Sequence, residues 1–306
     1  MTTLPWSADL PHRRDVDLAK LTTMATPGVA RFLVTPPDAP SLQRLLHDLA
    51  EAGEPFILLG GGSNVILTRT EVRPVVIRLG KGFDHIRRVG ETGLRVGAAT
   101  QLTHVLTFAL DHSLAGIEWA AGIPGTVGGA AAGNAGAAGH AMGEHLVRIE
   151  GFTRAGEPVT REKSEIHCEY RDTNLRDLVL TAVDLELQSG DRGEIIATKR
   201  AHQARRSGQP YGDHSSGCIF RNPEGDFAGR LIEAAGLKGF SVGKARVSDA
   251  HANFLVNEGD AAPDDVISLV DEVRRRVRDT MGVELRIEAI LLDPETVEPA
   301  RLEAKR

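Results

Sequence analysis

LLGGGSNVIL, residues 58–67, places Gly60, Gly61, Gly62, Ser63 and Asn64 between two short apolar runs. Glycine admits positive φ and lets a ligand come close to the main chain. A turn of successive N–H groups makes an anion nest, to which Ser63 and Asn64 add side-chain donors. The loop suits a diphosphate, although an ordinary tight turn can carry the same residues. A second stretch is more specific. Residues 116–139, GIEWAAGIPGTVGGAAAGNAGAAG, hold eight glycines and eight alanines, where average usage gives about two glycines. Something large and flat can lie against so bare a backbone. A flexible linker does not fit, because Ile117, Trp119, Ile123 and Val127 need burial.

Neither loop matches the common nucleotide signatures. GxGxxG fails because position 65 is Val65, and no GxxxxGK[ST] occurs. A Rossmann dehydrogenase and a P-loop NTPase are therefore disfavoured. The residues alone lead to two backbone-rich anion sites of dinucleotide size.

Outward from the loops, Ser41 reads as the cap of a helix with Leu42, Leu45, Leu46 and Leu49 on its apolar face and Gly53 at its end. Residues 56–59, 65–67, 75–79 and 94–98 read as short strands, and Thr100 opens a helix through Asp111. Helices and strands mix early, which predicts α+β or α/β. A polar helix at 193–206 leads into Ser207, Gly208, Gln209 and Pro210, a loop and domain boundary. Then follow an alanine-rich helix at 228–235 ended by Gly236, a strand at 251–257, an arginine-rich helix at 264–280 and a strand at 284–291. The charged tail after Asp293 is expected to be loosely held.

A chain of 306 residues suggests about two domains. With 41% hydrophobic and 25% charged residues, it reads as an ordinary globular protein. A net charge of −6 gives no electrostatic reason to expect nucleic acid. The run Arg274, Arg275, Arg276 and Arg278 follows Asp264, Asp265, Asp271 and Glu272, and reads as one helix matched to its macrodipole. Cys168 and Cys218 form no CxxC pair, which argues against zinc or a disulfide framework and fits a reducing compartment. Residues 1–11 show no signal peptide. Glu118, Pro124 and Asn134 interrupt the most apolar stretch, so no membrane span is expected and the cytoplasm is the default.

Eight motifs stand in order: GGGSN at 60–64, AGIPGTVGGA at 121–130, NAG at 134–136, YRDT at 170–173, GCIFRNP at 217–223, AGRLIEAAGLKG at 228–239, HANFLVN at 251–257 and GVELRIE at 282–288. Together they resemble the UDP-N-acetylenolpyruvoylglucosamine reductases of peptidoglycan precursor synthesis. The likeness runs from Leu21 to Leu291, and the short run between Tyr170 and Leu187 resembles the family's type II class. The resemblance implies an α+β architecture. Residues 1–200, with a core at about 26–190, would form an FAD-binding domain of the vanillyl-alcohol oxidase (PCMH) type. Residues 201–306 would form an α+β domain for the nucleotide-sugar substrate. FAD would rest on Gly60, Gly61, Gly62, Ser63, Asn64, Gly122, Ile123, Pro124, Gly125, Thr126, Gly128, Gly129 and Asn134. NADPH would reduce the flavin, which then passes hydride to the enolpyruvyl ether of UDP-N-acetylglucosamine. No oligomeric state is implied.

Hydride addition puts charge on the substrate carboxylate, so the site needs a cation, an acid and an orienting group. The resemblance assigns the cation to Arg171, whose guanidinium fork suits a carboxylate. It assigns a catalytic glutamate to Glu288. Strand alternation alone puts Glu288 with Glu284 and Arg286 on a solvated face. Cys218 departs from the family, which carries serine as the proton donor here. A thiol, with an ordinary pKa of about 8.5, can donate; otherwise Ser215 or Ser216 would, with Cys218 a small buried hydrophobe. Arg221 and Asn222 are expected at the phosphates or sugar. His251 and Asn253 share a strand face toward the substrate, a structural histidine being the alternative, and Tyr170 packs or contacts substrate. Two other functions compete: an FAD-dependent oxidase of a sugar or hydroxy acid on the same fold, and a non-catalytic nucleotide-sugar binder.

Overall fold

The computed structural model describes Trp6, residues 9–210 and residues 212–292; the charged tail lies outside the described residues. The chain forms two compact units. The first comprises Met1–His12, Leu33–Gly61 and Val76–Ser207, and the second Arg13–Phe32, Gly62–Val75 and Gly208–Arg306.

The first unit is built on a five-stranded antiparallel sheet in the order Pro158–Glu162, Leu146–Phe152, Val179–Glu186, Gly93–Gly97 and Ile86–Val89. Alternation along these strands gives the sheet an apolar face and a polar one. Leu94, Val96, Ile149, Val183 and Leu185 enter the core. On the other face Arg95 reaches its cross-strand partner Asp184 at 3.2 Å and also pairs with Glu150. Helix α1 (Ala39–Glu51) buries Leu42, Leu45, Leu46 and Leu49 as the spacing predicts. Its cap is Asp38 rather than Ser41: the Asp38 carboxylate accepts the Ser41 N–H at 2.9 Å, and Pro40 occupies the first turn, where no amide proton is needed. Helix α2 (Leu102–Asp111) starts two residues later than expected, because Thr100 is tied through its hydroxyl to the His85 peptide. Both α2 and helix α3 (Val127–Ala132) contribute to the core, with Val105 and Val127 fully buried. Helix α4 (Arg192–Arg205) buries only Ile195. Tyr170 to the strand Val179–Glu186 is a short path with no inserted helix or sheet beyond the two-residue strand Asp172–Thr173.

In the second unit a four-stranded antiparallel sheet runs in the order His214–Cys218, Phe254–Asn257, Ala245–Val247 and Ser241–Val242. Helices α5 (Ala228–Ala234) and α6 (Pro263–Met281) share one apolar core with it through Leu231, Ile232, Val266, Leu269, Val270 and Val273. The strand Val65–Leu67 belongs here because it pairs in parallel with Ile290–Leu292. In α6 the arginine run meets carboxylates on every side. Arg274 reaches Glu284, Arg275 reaches Glu272 and Asp279, and Arg276 reaches Glu272, all within 2.8 Å. Hydrogen bonds from Arg275 and Arg276 hold the Glu272 carboxyl at about 2. Gly282, at φ 68, ends the helix.

Two expected strands are shorter than their patterns. The one at 251–257 begins only at Phe254, and the one at 284–291 reduces to Ile290–Leu292 plus an isolated bridge from Ile287 to Phe220. Both shortfalls have a hydrogen-bonding cause, described below. Among the described residues no helix is long and apolar enough to cross a membrane.

Candidate active site

The two glycine stretches meet within the first unit. A Cβ on Gly61 would stand 2.7 Å from the Cα of Gly125, and one on Gly60 would stand 2.7 Å from Thr126 Oγ1. Backbone thus lies directly on backbone, which only glycine permits. Gly125 itself has φ 114. From this contact the chain enters α3, where the Thr126 hydroxyl accepts the Gly129 N–H at 3.4 Å, while Gly128 donates to Ala98 at 2.9 Å. Gly122 and Ile123 form the turn before it, Ile123 donating to Ala120 at 2.9 Å, and Pro124 follows. Ile117, Trp119 and Val127 are buried, as their composition requires, while Ile123 is half-buried. Among the described residues, the Gly60 and Gly61 amides donate to no protein acceptor. Bare backbone with undonated N–H groups fits the diphosphate of a dinucleotide such as FAD. Gly62, Ser63 and Asn64 continue the loop in the second unit. There Gly62, at φ 65, packs on the Leu21 carbonyl and accepts from Thr23 at 3.0 Å, and the Asn64 carbonyl accepts from Ile290 at 2.9 Å.

Arg171 occupies the tip of a two-residue hairpin whose strands are Cys168–Glu169 and Asp172–Thr173. Its backbone is left-handed, at φ 57. For a residue with a Cβ this costs roughly 1–2 kcal/mol, so the surroundings must enforce it. They do so from both sides. Thr173 Oγ1 donates to the Ala132 carbonyl at 2.7 Å, and Asn134 Nδ2 donates to the Glu169 carbonyl at 2.7 Å. The Asn134 oxygen accepts the Gly143 N–H at 2.9 Å. Arg176 donates from Nη2 to the Arg171 carbonyl at 2.6 Å and pairs through Nε with Asp172 at 2.5 Å. The Arg171 guanidinium lies 5.4 Å from the ring of Tyr170, which is 53% exposed.

Cys218 ends the strand His214–Cys218 immediately after a register shift. Ser215 pairs with Val256 and Cys218 with Phe254, so Ser216 and Gly217 form a bulge, with Gly217 at φ 78. A bulge re-aims the side chains beside it. Here the Ser216 hydroxyl is buried, at 1% residue exposure, whereas Cys218 stays half-buried. The next residue, Ile219, accepts two successive amides through its carbonyl, Glu288 at 2.7 Å and Ala289 at 3.4 Å. Two residues facing one breaks the alternation that puts Glu288 on a solvated face, and Glu288 is half-buried. The same irregularity shortens the expected strand. Arg221 donates its amide to Arg286 at 2.8 Å, and the Asn222 side chain caps α5 through the Ala228 N–H at 3.0 Å.

Asn253 and His251 do not share a strand face. The Asn253 carboxamide binds both sides of the Phe220 peptide, accepting its N–H at 3.0 Å and donating to its carbonyl at 2.8 Å. His251 Nδ1 accepts the Asn253 N–H at 3.2 Å, its ring stands edge-on to Phe254, and burial pushes its imidazole below the ordinary histidine range. These bonds hold 251–253 in a turn and clamp the segment that follows Cys218. The bracing roles of Asn134, Thr173, Arg176 and Asn253 carry no periodic signal. The nearest hint is that all four lie inside or beside the quoted motifs. Among the described residues no three His, Cys, Asp or Glu side chains gather as a metal site.

Most of the chain matches known protein families. Residues 30–161 match the model of an FAD binding domain, and residues 209–292 match that of the UDP-N-acetylenolpyruvoylglucosamine reductase C-terminal domain. The UDP-N-acetylenolpyruvoylglucosamine reductase of Desulfosudis oleivorans is 39% identical, covering 91% of this chain and 93% of its own length. That of an Anaeromyxobacter species is 40% identical, covering 94% and 92%. The crystal structure of the Thermus caldophilus enzyme, 34% identical, superposes with a TM-score of 0.80 over 93% of this chain and 99% of that one. The α+β architecture and the FAD-binding fold are those expected from the motifs, and the chain belongs to the UDP-N-acetylenolpyruvoylglucosamine reductase family.

Proposed function

We propose that this protein reduces UDP-N-acetyl-3-O-(1-carboxyvinyl)glucosamine to UDP-N-acetylmuramate with NADPH and FAD, in the cytoplasm, as a step of peptidoglycan precursor synthesis. Residues 1–200 carry the FAD site and residues 201–306 carry much of the nucleotide-sugar site. FAD, when bound, supplies the relay of a hydride from NADPH to the terminal carbon of the enolpyruvyl group. The chain's own residues do the rest. Gly60, Gly61, Gly62, Ser63 and Asn64 take the diphosphate together with Gly122, Ile123, Pro124, Gly125, Thr126, Gly128 and Gly129, and Asn134 braces their far end.

Arg171 holds the carboxylate as it gains enolate charge, which a guanidinium does through two parallel hydrogen bonds. The carbon next to that carboxylate must then gain a proton. Cys218 donates it. Supporting this over Ser216, that serine is buried while the thiol follows the bulge and stays half-exposed. Glu288, whose amide is bonded to the residue after that thiol, helps stabilise and protonate the intermediate. Arg221 and Asn222 meet the phosphates or sugar, His251 and Asn253 support that wall, and Tyr170 shapes the approach to Arg171.

The observation that carries the reading is the combination, in one chain, of an FAD-binding match and the family's C-terminal match, the latter spanning both Cys218 and Glu288. The test is spectral. NADPH should bleach the protein's flavin absorbance without oxygen, and the enolpyruvyl nucleotide sugar should restore it with formation of UDP-N-acetylmuramate. Restoration by oxygen alone, or a protein inert to NADPH, would point instead to an oxidase or a non-catalytic binder.

A further inference from the structure

We propose that Thr173 and Arg176 are positioning residues that set the backbone of Arg171, and so decide how well its guanidinium meets the substrate carboxylate. The inference rests on the reading of Arg171 as the carboxylate-holding cation. A left-handed residue at a hairpin tip relaxes unless its neighbours over-determine it. Arg176 does this directly, because one guanidinium grips both sides of the turn. Its Nη2 bonds the Arg171 carbonyl at 2.6 Å while its Nε pairs with Asp172 at 2.5 Å. An amide or an ammonium cannot make both contacts in that fixed geometry.

Thr173 acts from beneath. Its hydroxyl donates at 2.7 Å to the carbonyl of Ala132, the last residue of α3. The closing carbonyls of a helix lack intrahelical partners, so this bond both satisfies α3 and fixes the hairpin to it. Asn134 adds a parallel tie to the Glu169 carbonyl at 2.7 Å. The far end of α3 is thus joined to the arginine hairpin, and its near end begins at Thr126 in the glycine stretch. Neither Thr173 nor Arg176 is placed against cofactor or substrate; each acts through Arg171.

The test separates the two half-reactions in the FAD-loaded protein without oxygen. Arg176→Gln and Thr173→Val should slow reoxidation of NADPH-bleached flavin by the enolpyruvyl nucleotide sugar about ten- to hundredfold, as a small misplacement of a binding group does. Bleaching by NADPH should stay within about twofold of the parent. Arg176→Lys, which keeps the charge but not the fork, should fall between, and it keeps the test open if Arg176→Gln does not retain FAD. In an Arg171→Lys background, Arg176→Gln should cost much less, because coupled residues are non-additive. Reoxidation at the parent rate would overturn the proposal, as would equal slowing of both half-reactions or an undiminished cost in the Arg171→Lys background. Parent protein that the nucleotide sugar cannot reoxidise would instead overturn the proposed function, and this inference with it. A competent parent slowed by Arg171→Lys isolates failure to the positioning role.

Discussion

The hairpin bearing Arg171 and the bulge bearing Cys218 both depart from regular backbone, but they absorb the departure differently. At the hairpin Arg171 itself takes the unfavourable conformation, φ 57, and side chains from 134, 173 and 176 hold it there. At the bulge the positive φ falls on Gly217, so Cys218 is aimed by a neighbour that bears no side chain. Under the proposed function, a long cation needs a fixed root to bring its fork to a carboxylate, and the braces supply one. A short thiol needs only a strand end turned the right way, and one glycine supplies that. The hairpin should therefore be sensitive to its braces, and the bulge to its glycine and its clamp.

Breaking the cation should have the largest effect. Arg171→Ala is expected to slow reoxidation of bleached flavin by the nucleotide sugar about a thousandfold, the scale of a lost charge-stabilising donor, as read by stopped-flow absorbance. Next comes the clamp beneath the bulge. Asn253→Ala leaves both groups of the buried Phe220 peptide without their partner and should lower stability by about 2–4 kcal/mol, measured by denaturant unfolding. Gly217→Ala should cost less, roughly 1–2 kcal/mol. Nothing lies within 4 Å of where its Cβ would stand, so the cost is conformational alone. A larger loss at Gly217 than at Asn253 would show that the bulge depends on more than its backbone angle.

The smallest effect concerns pH. Burial, aided by nearby Lys238, holds His251 neutral in the folded protein with its pKa below the ordinary range. Below about pH 6.5 the unfolded chain takes up a proton that the folded one resists. The stability that neutral His251 contributes is therefore complete above that pH and lost as pH falls through and below it. The melting temperature should drop between pH 7.5 and pH 5.5, and His251→Gln should reduce the drop. An equal drop in that variant would remove His251 from the account.

Local patterns carried much of the fold. The strand Val65–Leu67 stands where its apolar run predicts, and α6 buries regularly spaced valines and Leu269 with Gly282 at its end. The patterns failed where distant groups intervene. Residues 251–253 alternate as a strand would, yet Asn253 is drawn to a peptide 33 positions away. Glu288 alternates onto a solvated face, yet one carbonyl takes both its amide and that of Ala289. The interleaving of the units is illegible for the same reason, since nothing near Val65 announces Ile290 as its partner. The hairpin tip at Arg171 and the bulge before Cys218 fall inside the ordered motifs. The bonds that brace the hairpin were not legible, because a side-chain bond across 35 or 41 positions leaves no periodicity.

In the proposed reaction the Cys218 thiol, aimed by the Gly217 bulge, protonates the substrate carbon while Arg171 holds its charge. The most direct measurement mixes NADPH-bleached Cys218→Ala protein with the enolpyruvyl nucleotide sugar in the absence of oxygen and follows flavin absorbance. Bleaching should persist and reoxidation should fall by at least about a hundredfold, with Cys218→Ser restoring much of it. Reoxidation at the parent rate in Cys218→Ala would contradict the claim.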